Sequence, residues 1–473
     1  MKNKIRTFLF LLPLFAQAQT VTVSEVISTR DNDYYEVIPD NRGNVLLFTS
    51  KQTQFKVKGF DSNLHEKWEK ELELDKKRPE LIQAVPMGGD FCVFYQFRKK
   101  GNPVLKAHRY SPSANLRDSV TLKVFDKLFY TPNYQLVVSE DKKVALIYFV
   151  EQNNEFTVFS FHMGQMKLLW ETNFSLDDFL FQRDFLQILV DNSGNMHLVL
   201  SRDNRRARQA GHHLEIFEFG EATQGILQRY EVPMQGHLTY HALFSFDNLN
   251  KHLVAAGLYS NDNFARADGY FFLSIAQANH DDQMSRFRPF ETDFVNILEE
   301  KEKAKNKGLA EVNVQEIVHR KDGGILFIGE LNKRFERGVT TGNYYSRTGM
   351  RPIVDYYYDD LFLVSIHPDG EEHWKTILHK KQYSQDDDAI YSSYFLAKTP
   401  SALRVIFNDE IKQENTVSEY VVAGDGHYEH STVMNTERKE LSIRFRDAVQ
   451  VAAGEIIVPS ERRNRLKLVK IVY

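Results

Sequence analysis

Residues 34–50, YYEVIPDNRGNVLLFTS, and 55–74, FKVKGFDSNLHEKWEKELEL, decide the fold. They read as strand, Asp/Asn/Gly turn, apolar strand, polar loop, strand, turn, and a fourth strand carrying a Trp. The same order returns at 312–330, VNVQEIVHRKDGGILFIGE, and at 359–378, DDLFLVSIHPDGEEHWKTIL. Working outward, the pattern recurs roughly every 50 residues, a period of stacked repeats rather than of one continuous core. Four short strands per repeat identify an all-β chain, a β-propeller, an architecture that serves enzymes and binding platforms alike.

First strands are expected near Tyr34, Leu81, Tyr134, Phe185, His241, Val312, Tyr391 and Ser442, with apolar second strands opening near Gly43, Asp90, Lys143, Asn195, Lys251, Gly324, Leu403 and Gly454. Eight four-stranded blades follow, or seven if the fifth is misread. The eighth ends at RLKLVKIVY, one strand short, and residues 20–29, TVTVSEVIST, alternate like a strand before any blade begins. This spare strand is expected to close the ring and remove an exposed edge. Trp68, Trp170 and Trp374 recur at one place in the repeat, as residues packing neighbouring blades do.

Residues 1–18 read as an export signal: Lys2, Lys4 and Arg6, an apolar run, and a small-residue site at Ala16-Gln17-Ala18. Residues 19–473 are then a single β-propeller domain in the periplasm or outside the cell. No later run approaches the roughly 20 apolar residues of a spanning helix, so no transmembrane segment is expected. The one cysteine, Cys92, lies in an apolar strand, which excludes both a lipid anchor at the cleavage site and an internal disulfide. Folding must rest on packing, which 473 residues at 42% hydrophobic allow. A net charge of -4 gives no overall signal for nucleic acid.

Three departures from the repeat fall on the face bearing the loops between second and third strands and those between blades. Residues 290–310 carry DFVNILEEKEKAKNKGL, read as a short helix between blades five and six with Phe294, Ile297 and Leu298 inward and Gly308 at its end. Residues 331–358 mix Arg334, Arg337, Arg347 and Arg351 with Tyr344, Tyr345 and Tyr356, an interface composition. The plainer reading of that insertion is a hairpin extending two strands of blade six. Arg205, Arg206 and Arg208 in blade four add to an excess of basic loops on this face, implying an anionic partner. Asp386, Asp387 and Asp388, in the connection 380–390, offer oxygen ligands of the kind Ca2+ takes, or else form an acidic turn paired with the Arg/Tyr insertion. No other cofactor is expected. His212 and His213 lack a third ligand at metal spacing and read as strand or loop residues. No Gly-x-Ser-x-Gly, Walker or His-Glu-x-x-His sequence occurs, and HPDGEEHW lacks the spacing of a sialidase Asp-box.

The leader ending AQAQ, the segment KEKAKNKGL before KDGG, and DDLFLVSIHPDGEEHW before KKQYSQDDDAIYSSY resemble a group of exported β-propeller proteins of the Bacteroidota. That resemblance implies secretion and the fold; it supplies no activity and no catalytic residues. It also makes Asp118-Ser119-Val120 similar to the O-glycosylation triplets of such proteins. The reading that results is a non-enzymatic binding or scaffold propeller of the cell envelope. Its partner is an envelope protein or an anionic glycan, not nucleic acid, and the chain is a monomer unless bound. The alternative is a propeller enzyme acting on glycans, with carboxylates near the central channel.

Overall fold

The computed structural model describes residues 19–29, 33–40, 43–51, 53–75, 78–126, 128, 130–300, 308–337, 353–409, 411, 416–437 and 440–473. The leader and the KEKAKNK segment lie outside them. Eight antiparallel sheets succeed one another around an axis, each with a core of four strands in up-and-down order. Their first strands are Tyr34–Pro39, Glu80–Met87, Gln135–Val138, Phe185–Val190, Leu238–Asp247, Val312–His319, Tyr394–Lys398 and Val449–Ala452.

The apolar second strands explain the architecture. A strand with one solvated face alternates apolar and polar residues; Val45-Leu46-Leu47-Phe48 does not, because both of its faces are buried. Leu46 and Phe48 join the cluster shared with blade two, whereas Val45 and Leu47 join the cluster shared with blade eight. The same division holds around the ring, so that each junction between neighbouring blades has its own apolar cluster. Cys92 lies in one of them, fully buried, its thiol pushed up to about 12 by loss of solvent.

Ring closure occurs as the spare strand requires. Thr20–Val23 pairs antiparallel with Arg465–Val472, in register from Thr20 opposite Val472 to Val23 opposite Val469, and Ile27–Ser28 pairs further along the same strand. Val21 and Val23 pack at the junction of blades seven and eight, and Ile27 at that of blades eight and one. Facing the axis, the first strands have no partner strand among the described residues, and at two junctions a glutamine side chain takes that place. The Gln187 amide donates to Phe244 O at 2.9 Å and accepts from Phe244 N at 2.8 Å, and Gln450 makes the same double contact with Lys398.

Two boundaries differ from expectation. The eighth first strand begins at Val449, not Ser442, because Leu441, Ile443 and Phe445 are buried by a non-strand segment that ends in the turn Phe445–Asp447. The helix is Thr292–Leu298 and buries Phe294, Val295 and Leu298, while Ile297 points outward, 51% exposed. It stops at Glu299, well before Gly308, whose carbonyl instead accepts from Arg266. Trp170 and Trp374 do pack across blades, donating to Gly194 O and Gly424 O of the next blade, each at 2.9 Å. Trp68 packs in the cluster between blades one and two.

Candidate functional site

The loops between second and third strands and those between blades emerge together, and blades four to seven elaborate them most. In blade six the second and third strands run on as a hairpin, Ile325–Arg337 and Ile353–Ile366, so the plainer reading of that insertion is the observed one. Gln382–Gln385 adds a strand to its outer part, pairing Asp355 to Tyr358. Tyr344, Tyr345, Arg347 and Arg351 lie outside the described residues.

Asp386, Asp387 and Asp388 do not converge. Asp386 accepts from Val354 N at 2.8 Å, Asp387 from Ala389 N at 3.0 Å, and Asp388 from the Tyr356 hydroxyl at 3.1 Å. They form an acidic turn that holds the hairpin base, and among the described residues no three His, Cys, Asp or Glu side chains group as a metal site. Beneath them lies an ion pair the sequence did not reveal. Lys380 Nζ and Glu330 Oε1 are 2.7 Å apart with both side chains excluded from solvent. Lys380 also donates to Tyr358 O and Gln382 Oε1, and Glu330 accepts from Ser393. A buried pair of this kind fixes geometry more than it stabilises.

Many of the arginines are already paired. Arg337 grips Asp355 through two nitrogens, and Arg334 meets Glu336 at 2.7 Å. In blade four, Arg205 and Arg208 share Asp203 at 3.2 and 3.0 Å, and Arg206 stands in the turn Arg206–Gly211. Arg205 and Arg208 line a cleft of about 880 Å3 between blades three and four, where Arg183, Arg202 and Arg229 also converge. Arg202 and Arg229 are held by Glu215, and Arg183 by the buried Asp184 at 2.5 Å. Counting arginines without their acidic neighbours overstates the field of this face. His212 is buried and bonded to Arg202 O and Thr239, with burial bringing it down to about 4.

What sequence reading missed is apolar. Leu180 enters blade four, Phe264 sits in the loop of blade five, Ile297 on the helix and Phe335 on the hairpin, exposed by 55%, 46%, 51% and 50%. The loops that carry Phe264, Ile297 and Phe335 are braced together. Arg266 pairs with Glu299, Lys381 with Glu300 at 3.1 Å, and Lys333 with Glu311 at 3.2 Å, tying the blade-five loop, the helix and the hairpin into one unit. Only helical phase distinguishes Ile297 from Phe294, and a seven-residue helix gives that phase weakly. Ser119 of the triplet is exposed on the outer strand Leu116–Val124 of blade two.

No model of a known protein family and no curated protein matches this chain. Among solved structures, the Dos1 propeller aligns over 95% of this chain and 94% of its own, at 8% identity and a TM-score of 0.46. A europium-containing methanol dehydrogenase aligns over 96% and 93%, at 10% identity and 0.42. The polysaccharide lyase Uly1 aligns over 95% and 99%, at 7% identity and 0.40. At such identities the likeness concerns the fold alone.

Proposed function

We propose that this propeller is a binding platform of the bacterial cell envelope, docking a protein partner on the face spanning blades four to seven. The observation that carries the reading is the set of four large apolar side chains, Leu180, Phe264, Ile297 and Phe335, exposed on loops of that face. Each, half exposed, forgoes about 1 kcal/mol of burial in the free protein, which a partner restores. Arg334, Arg205 and Arg208 around them give the mixed apolar and arginine character of an interface. Bracing of the loops keeps the ordering cost of binding small.

Ile297→Ser with Phe335→Ser tests the reading. The immobilised protein should capture a partner from envelope extract that the double variant releases, and the partner, once identified and purified, should bind the variant at least ~10-fold more weakly, as the loss of two half-exposed apolar contacts requires. Because both side chains are exposed, the melting temperature should hold. Capture indifferent to both substitutions would remove this face from consideration.

A further inference from the structure

The hairpin of blade six carries a strand edge that no described residue pairs. Val312–His319, the first strand of the blade, runs beside Ile325–Arg337 only as far as Leu331, and the last five residues, Lys333 to Arg337, are all exposed. Two bonds fix which way the main chain faces along this edge. Asn332 N donates to Glu311 O at 2.8 Å, so its N–H points to the first-strand side, and by alternation so do the N–H and C=O of Arg334 and Glu336. Val354, opposite Glu336, turns its C=O the other way, where it accepts from Asp386 N at 2.9 Å. Arg334 and Glu336 therefore present their main-chain groups on the open edge. Their side chains share one face of the strand, 2.7 Å apart, while Phe335 projects half exposed from the other.

An edge left open is a template for another strand, and folded proteins blunt such edges with lysines and other charges. Here the charges do the reverse, because they match a second copy. With two copies of the edge antiparallel about a two-fold axis at Phe335, Arg334 of one stands opposite Glu336 of the other in both hydrogen-bonded pairs, and the two Phe335 rings form the close pair between them. Lys333 comes opposite Arg337, but each is already answered in its own chain, by Glu311 and Asp355. A slide of one residue takes the outward main-chain groups out of step. A slide of two sets Arg334 against Arg334, or Glu336 against Glu336, which like charge disfavours. The edge is complementary to itself in one register only. We propose that residues 333–337 pair with the same edge of a second copy, joining two blade-six sheets and turning the loop faces of two propellers toward each other. The inference rests on the docking reading in taking this face as an interface, and names what its hairpin holds.

Sedimentation equilibrium of the purified protein tests it. Wild type should pass from monomer to dimer as its concentration rises to about 200 µM. Arg334→Glu and Glu336→Arg each put like charges in both pairs, and each alone should weaken association at least ~10-fold. Mixed in equal amounts, the two variants should recover wild-type affinity, because every pair across the edge is then again of opposite charge. Melting temperatures should hold throughout, since the substituted side chains are exposed. Ile297→Ser, which lies off the edge, should leave the dimer intact while weakening capture from envelope extract, so that loss of one without the other tells which of the two readings has failed. A wild type that stays monomeric over this range, or a dimer that the single substitutions spare or the mixture does not restore, overturns the proposal. So does a monomeric wild type whose envelope capture is lost with Arg334→Glu, which would give the edge to another protein.

Discussion

At the scale of single residues, Glu36 ties stability to pH. Its folded carboxyl titrates near 7 against an ordinary 4.5, so the folded state binds the proton more tightly than the unfolded one. A raised acid favours folding below the ordinary value, and that contribution is lost as pH rises from about 4.5 through 7. Glu36→Gln removes the dependence. By denaturant titration the variant should gain about 1–3 kcal/mol on wild type between pH 5 and 8, a range reduced for partial solvation of the site. Parallel stability curves for the two proteins across that interval would place the Glu36 proton elsewhere. Glu36 was in plain view within the stretch that decides the fold, yet nothing in that stretch marks it. Its character comes from burial that eight sheets create together, to which the charge of Asp447, 411 positions later in the chain, adds a smaller push.

At the scale of elements, a device recurs in which a glycine faces an aromatic ring on the adjoining strand. Gly59 lies opposite Trp68, Gly257 opposite Phe271, and Gly329 opposite Phe362. A methyl group built on Gly257 would sit 2.1 Å from the Phe271 ring, and on Gly329 equally close to Phe362. The ring lies flat over the bare backbone and fills the junction between blades, so the glycine is there for closeness of approach. Gly257→Ala should therefore cost roughly 1–3 kcal/mol by overpacking, measured by denaturant unfolding. Gly211→Ala, with open space around it, is the matched control and should be nearly neutral. Equal stability of the two variants would mean that the Phe271 ring moves aside freely. The repeat made most strand positions legible, because a second strand buried on both faces is an unbroken apolar run. The helix and the start of blade eight were harder, since their buried residues, Phe294, Leu298, Ile443 and Phe445, follow packing against neighbours rather than any local period.

At the scale of the whole molecule, stability is shared among junctions, and one blade joins the two ends of the chain. Deleting residues 20–29 removes the outer strand of blade eight together with Val21, Val23 and Ile27 from two clusters. Ile27 alone, 6% exposed, contributes about 2 kcal/mol. The truncated protein should melt at a sharply lower temperature and, with the edge of Arg465–Val472 bare, self-associate in light scattering. A melting curve matching wild type would deny the strand its closing role. The sequence by itself determined the blade and the strand that closes the ring, and favoured eight blades over seven, because strand period, turn residues and doubly buried runs are local properties repeated in order. Tertiary structure alone decided which charges are already answered and which side chains share a cleft. Arg205 and Arg208 prove to be held by Asp203, the three aspartates diverge to three backbone and side-chain partners, and Glu36 is withdrawn from water beside the Tyr34 hydroxyl. Those outcomes depend on distances between residues far apart in the chain, and in a ring such distances are set only when the last blade closes on the first.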